Sequence, residues 1–229
     1  MTREFLILLI GLWSAGTASA QARVAVGAGT AALGGVDVAF GNLVNGLAQV
    51  APGLAAQRSY SVWWVTEAEA HVPVGPIGVG ARVQGRWSQA DALYGDWAGT
   101  VDVIGRTQAL LGELDVAFPL GPPGLRVAAH AGSALVSTRL SADASAEFEG
   151  RTEQVQYRLT GTGVGPTVGA SVLWDIPVGP GAISARLGAR WGRVSALKAQ
   201  ETTDVSQTEG ELRLGHNFDG VSLTVGVGL

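Results

Sequence analysis

The sequence predicts a closed, up-and-down antiparallel β-barrel that crosses a membrane by strands, and three observations predict it. No stretch after residue 20 is apolar for the ~20 residues a helical span needs. Paired runs of period-2 alternation flank short Gly/Pro turns, each with one apolar face and one polar face. In three such hairpins the polar faces place a carboxylate against a base, the favourable cross-strand arrangement.

The fullest hairpin is Val62 to Trp87, VWWVTEAEAHVPVGPIGVGARVQGRW, turning at Gly75-Pro76. With Val74 paired to Ile77, one face carries Trp64, Ala68, Ala70, Val72, Val79, Ala81, Val83 and Trp87; the other carries Glu67, Glu69, His71, Arg82, Gln84 and Arg86. That register sets Trp64 against Trp87 and Glu69 against Arg82, with Arg82 and Arg86 diagonal to Glu67. From Trp64 to Val74 a strand tilted near 40° rises about 25 Å, the height of the apolar band on an outer-membrane barrel.

Composition agrees. Of 229 residues 15% are charged, below the roughly 25% typical of soluble domains. Lysine, the residue that protects soluble β-edges, occurs once, at Lys198. The net charge of −4 gives no nucleic-acid footprint. There is no cysteine, hence no disulfide, thiol nucleophile, thiolate metal site or lipidation motif. Residues 1–20 read as a secretory signal: Arg3, an apolar run from Phe5 to Trp13, then small residues to Ala18-Ser19-Ala20, with cleavage expected after Ala20. Residues 21–229 then form a single domain.

In chain order, Arg23 to about Leu33 is the first strand, with Val24, Val26 and Ala28 on one side. Its Gly27-Ala28-Gly29-Thr30-Ala31-Ala32 formally matches a dinucleotide fingerprint, but a helix opening at those glycines is required; strand-like alternation follows instead, so the small residues are assigned to a crowded barrel wall. Residues 34–58 form the first long connection, where Leu43, Leu47, Val50 and Leu54 are spaced as one face of a short helix, either a loop helix or a partial plug. After the Val62–Trp87 hairpin, Ser88 to Arg106 is expected to be a loop holding Tyr94, Trp97, Asp91 and Asp96.

The next hairpin runs from Gln108 through Gly121-Pro122-Pro123-Gly124 to Val136. Leu110, Leu114, Val116, Phe118, Val127, Ala129 and Ala131 face out, and pairing Leu120 with Leu125 sets Asp115 opposite His130. Ser137 to Thr160, with Asp143, Glu147, Glu149 and Glu153, reads as a solvated acidic loop, with cation or partner binding as its sharper reading. The third hairpin, Pro166 to Val194, turns at Gly179-Pro180-Gly181-Ala182; with Val178 opposite Ile183, Asp175 meets Arg186, and Arg190 follows further along the same inward face. Ser195 to Glu209 is a fourth loop, and the last strand ends Val221 to Leu229. Asp219-Gly220 signals a bulge or a turn. Three short turns and four long loops make eight strands with both ends on one side; a true hairpin at Asp219-Gly220 makes nine, and a separate strand at 35–41 makes ten.

This pattern of signal peptide, short turns alternating with long loops, polar lumen and terminal apolar strand resembles the small outer-membrane β-barrel proteins of the OmpA/OmpX type across residues 21–229. The resemblance is architectural. Members usually finish on an aromatic residue, and this chain ends Val227-Gly228-Leu229. It implies insertion into the outer membrane of a diderm bacterium by barrel-assembly machinery, as a monomer. A soluble barrel of lipocalin type is the alternative and inverts the faces. Trp64, Trp87 and Trp191 toward the loop ends and Trp174 near a short turn form the two belts a bilayer calls for.

An eight-stranded barrel is just wide enough for side chains to fill. Glu67, Glu69, His71, Arg82, Arg86, Glu113, Asp115, Arg126, His130, Asp175, Arg186 and Arg190 are therefore expected as one lumen network. Barrel enzymes that modify lipid A exist in this family, but Ser133 lies an odd number of residues from His130, on the opposite face, His71 lies near a short turn on the side away from outer-leaflet lipid, and His216 has no serine within two positions. No catalytic, metal or cofactor residue is assigned. The expected function is a non-enzymatic barrel presenting loops for envelope integrity or surface contact, with a narrow channel or passage for small apolar molecules as the alternative.

Overall fold

The computed structural model describes residues 21–32, 34–49, 51, 53–96, 99–148, 151–194, 198–203, 207–210, 216–217 and 219–228. Residues 1–20, expected to be a secretory signal, lie outside them with Trp97, Glu149 and Leu229, as do the side chains of Glu147, Glu153 and His216.

The elements are β1 (Gln21–Ala32), α1 (Gly35–Leu47), β2 (Ala55–Arg58), β3 (Val62–Val74), β4 (Ile77–Asp96), β5 (Gly99–Pro119), β6 (Leu125–Phe148), β7 (Arg151–Val178), β8 (Gly181–Val194), β9 (Lys198–Thr203), β10 (Gln207–Gly210), β11 (His216–Asn217) and β12 (Asp219–Gly228). Eight of them close a ring, β1-β3-β4-β5-β6-β7-β8-β12, and β12 pairs back onto β1. Closure leaves no edge among these staves. The short β2, β9 and β11 add to the upper ends of β4, β7 and β8, and β10 pairs with β9.

The expected registers hold in the first two hairpins. Val74 pairs with Ile77, Trp64 with Trp87, Glu69 with Arg82, and Asp115 with His130. The third departs. Val178 pairs with Gly181, not Ile183, so Asp175 stands beside Ser184 and Arg186 beside Leu173. The turn has two central residues, Gly179 with φ 59° and Pro180, the same chemistry as Gly75 (φ 62°) and Pro76. A positive φ at the first central position followed by proline suits a tight hairpin turn that matches strand twist. The slip is two residues, so every side chain keeps its face.

Three further expectations are corrected. Residues 88–96, 99–106, 137–148 and 151–160 are strand, not loop. β4, β5, β6 and β7 run 20, 21, 24 and 28 residues and stand as a tall sheet above the shorter staves. Alternation persists there, with Val101, Val103, Leu140, Ala142 and Leu159 inward; the outward partners turn polar because they face water, not lipid. Likewise the fourth connection contains β9 and β10. Asp219-Gly220 is neither bulge nor hairpin, since His216↔Val194, Asn217↔Arg193 and Gly220↔Arg190 share one register. The ring therefore has eight staves.

Residues 35–41 are helical. α1 buries Val36, Phe40 and Val44, a face the Leu43/Leu47/Val50/Leu54 spacing only bordered. Gly34 gives it no side-chain cap, and thirteen residues are marginal as an isolated helix. Burial supplies the stability, at about 1.5–3 kcal/mol for each large apolar side chain fully covered. Its buried face joins one apolar cluster with Leu54, Tyr60, Trp63, Ala90, Val103, Leu140 and Val194, all buried. It is a plug, the second of the two readings. Phe40 meets the Tyr60 ring edge-on at 5.7 Å. The Tyr60 hydroxyl rests over Gly105, where a Cβ would collide with it, and burial pushes that hydroxyl's pKa above the usual tyrosine range.

Candidate functional site

The outer surface carries the apolar face. Leu114 is 72% exposed and Leu187 55%, whereas Arg82 is 2% exposed. Val72, Val168, Val172, Ile176, Val225 and Val227 are also exposed, as are Trp64, Trp87 and Trp191 toward one end and Trp174 toward the other. The lipocalin alternative, which needs the opposite placement, is excluded.

All twelve expected lumen residues point inward. Ten are buried, and Arg126 and Asp175, at the short-turn end, are half-buried. There the Arg126 guanidinium donates to Asp175 and, at 3.0 Å, to Gln21, and the Ser184 hydroxyl donates to Asp175 at 2.5 Å. The hairpin-mate pairing of Asp175 with Arg186 does not form, because the tighter turn moves Arg186 two residues up the barrel.

Above that pair, Arg186 bridges Glu69 and Glu67, 3.2 Å from the latter, and lies 4.0 Å from Asp115. Arg23 binds Glu67 and, through Nε at 2.8 Å, Glu69. Asp115 accepts from or shares a proton with His71 Nε2 at 2.7 Å. It does not bond His130, its backbone partner. Glu69 likewise turns from Arg82, its partner on β4, to Arg23, its direct partner on β1, and to Arg186 across the bore. The His71–Asp115 and Glu69–Arg186 contacts have one cause. On the concave side of so narrow a cylinder long side chains converge, and ends from non-adjacent strands meet.

The next layer centres on Glu113. Arg82 donates through Nε and Nη2 at 3.0 and 2.6 Å, Arg190 through Nε and Nη2 at 2.9 and 2.5 Å, and the Thr167 hydroxyl at 3.0 Å. Glu67 is braced by Gln84 at 2.8 Å and approached by Arg82 at 3.7 Å. Arg190 and Arg86 converge on the single carbonyl oxygen of Gln84. Among the described residues Arg86 has no carboxylate within 4.0 Å, although it is buried. The fully buried set thus holds five arginines (23, 82, 86, 186, 190) against four carboxylates (67, 69, 113, 115).

Higher still the lumen turns oily, with Trp63, Ala109, Leu111, Ala134, Val136 and Val194 inward beneath α1. The bore is therefore obstructed twice, by an ion-pair layer and by an apolar plug.

Arg23, Thr167 and Trp63 were not singled out from the sequence as site residues, and Gln84 was placed on the polar face without a part in the charge network. Parity could have found the first three: Arg23 lies on the face opposite Val24, Thr167 opposite Val168, and Trp63 must face inward if Trp64 faces out.

Glu69, His71 and Asp115 bring ligand-type atoms within 4.8 Å of one another. Arg23 and Arg186 already engage Glu69, so guanidinium charge stands where a metal cation would, and the donor set does not fit a metal as it stands. The His71–Asp115 pair has the form of a base and its orienter, yet among the described residues no hydroxyl bonds His71, so a nucleophile is missing from that arrangement.

No protein-family model matches the chain, and no curated protein matches it in sequence. Among solved structures the chain is similar to a major outer membrane protein from Thermus thermophilus, at 14% identity and TM-score 0.47 over 90% of this chain and 98% of that one. It is also similar to Ail, the attachment invasion locus protein of Yersinia pestis, at 9% identity and TM-score 0.38 over 91% and 96%, and to Neisserial surface protein A, at 10% and 0.35 over 93% and 98%.

Proposed function

We infer that the protein is a non-enzymatic barrel of a diderm outer membrane, closed to solutes, whose tall outer sheet and helical plug serve envelope integrity or contact with other surfaces. The observation that carries this reading is the combination of an apolar outer wall with a lumen filled first by ion pairs around Glu113 and then by the α1 plug. Lipid is the solvent such a wall requires, and closed barrels are the β-structures that satisfy every backbone group within it. The reading carries with it secretion by residues 1–20 with cleavage near Ala20, insertion by barrel-assembly machinery, and a monomeric barrel with any extracellular partner meeting the upper sheet.

Planar-bilayer recording of the purified protein tests it. No steady conductance is expected. A steady ion current that disappears on altering Arg82 or Arg190 overturns the sealed lumen in favour of a channel.

A further inference from the structure

Outside the lumen, one surface feature is not explained by lipid contact or by the plug. On the outward face of the tall sheet, Arg106 on β5 is the direct cross-strand partner of Arg139 on β6. Arg158 on β7 lies diagonal to Arg139, since Ser141 pairs with Arg158 and Arg139 with Thr160. The three guanidinium groups line one depression together with Ile104, Ser141 and Asp143. All three arginines are exposed. Among the described residues none has a carboxylate within 4.0 Å, and Arg158 reaches only the Gln156 amide, at 3.4 Å. Like charges placed directly opposite across strands are destabilising, in a chain whose net charge is −4.

The neighbouring acids form no ion pair with them within 4.0 Å. Asp91, on adjoining β4, is approached by Arg58 at 3.7 Å. Asp102 and Asp143 are direct cross-strand partners on β5 and β6, farther from the membrane, and Asp143 borders the depression from that side.

The rows below the patch set its height. Leu110, Leu135 and Val164 form one outward row across β5, β6 and β7; Gln108, Ser137 and Thr162 form the next; Arg106, Arg139 and Thr160 the one after. The order is apolar, neutral polar, basic. Four residues separate the first row from the third, about 10 Å of height for a strand tilted near 40°. That is where the polar headgroups of a leaflet lie above its acyl chains.

On the reading that the wall is embedded in a membrane, we propose that the face of β5–β7 docks an outer-leaflet lipid whose headgroup carries an anionic phosphate with no cation of its own to compensate it. Its chains lie on Leu110, Leu135 and Val164, and its phosphate sits among Arg106, Arg139 and Arg158. Guanidinium groups suit this role because their planar donors bind phosphate oxygens in pairs. A phosphate between Arg106 and Arg139 also converts their repulsion into a shared attraction.

The test uses the protein purified from the membrane fraction in a neutral detergent. Native mass spectrometry compares retention of phosphatidic acid with phosphatidylcholine of the same chains, with inorganic phosphate as competitor. The expected result is a preference of about tenfold for phosphatidic acid, the worth of one good charged contact. That preference is lost in the R106S/R139S variant, kept in R106K, and unmoved by inorganic phosphate. Equal retention of the two lipids by the unaltered protein overturns the proposal whether or not any variant folds. So does displacement by inorganic phosphate, which marks a site for a free anion, and so does undiminished preference in R106S/R139S. Failure to insert into phosphatidylcholine vesicles overturns instead the membrane reading beneath it.

Discussion

Arg190 on β8 and Glu113 on β5 lie 77 residues apart in sequence and three staves apart around the barrel, and they meet in a bidentate pair of 2.9 and 2.5 Å. Two carboxylate oxygens facing two guanidinium nitrogens is the strongest form of this contact. Here it ties the two sides of the cylinder across its bore.

Replacing Glu113 with Gln strands Arg82 and Arg190 in a buried layer, and about 3–5 kcal/mol of stability is expected to be lost. Urea unfolding of the folded barrel in detergent measures it. The double variant E113L/R190M is expected to be less destabilised than the sum of its single changes, because neither charge is then left without the other.

Arg86 is expected to behave differently. It shares the Gln84 oxygen with Arg190 and has no carboxylate of its own among the described residues. Arg86→Met removes a buried cation and strands nothing, so the urea midpoint should move by less than about 1 kcal/mol in stability, or rise. A loss equal to that of E113Q contradicts this charge inventory.

The plug predicts a local effect. Phe40→Ala deletes the ring packed on Tyr60, a change worth about 3–5 kcal/mol in a protein core. Gly105→Val drives the Tyr60 hydroxyl from its seat. Both variants should raise hydrogen exchange in residues 35–47 while leaving β3 to β8 protected in the membrane band. Global loss of protection would mean that α1 is integral to the barrel, not a plug set into it.

How much of this was legible in the sequence follows from which interactions are local. Glu69 opposite Arg82 could be read because a two-residue turn and period-2 alternation determine both register and face. Gly179-Pro180-Gly181-Ala182 offers two turn lengths, so Asp175 was matched with Arg186 when it stands beside Ser184; parity survived and the inward set was still right. Ser137 to Thr160 looked like a loop because its outward residues meet water, though Leu140, Ala142 and Leu159 still alternate. The contacts of Glu113 with Arg190 and of Asp115 with His71 could not be read at all. They depend on ring closure and on the convergence of side chains inside it, which no single hairpin encodes.

The outer wall predicts a penalty that depends on depth. Leu114→Arg places a cation mid-band on the lipid face and should cost about 2–4 kcal/mol, whereas Gln108→Arg, toward the upper edge, should cost about 0–1. Heat-modified mobility on denaturing gels of the membrane fraction, with urea midpoints, distinguishes the two.

The placement of oily side chains against lipid and ion pairs in the bore can be read most directly by single-cysteine spin labelling, for which the absence of native cysteine leaves a clean background. Labels placed one at a time from residue 109 to residue 117 on β5 are compared for collision with oxygen and with a water-soluble nickel chelate. The expected result is an oscillation of period two, with 110, 114 and 116 mobile and oxygen-accessible and 111, 113 and 115 immobile and shielded from oxygen. High oxygen access at 113 and 115 with 110 and 114 shielded would contradict it and turn the barrel inside out.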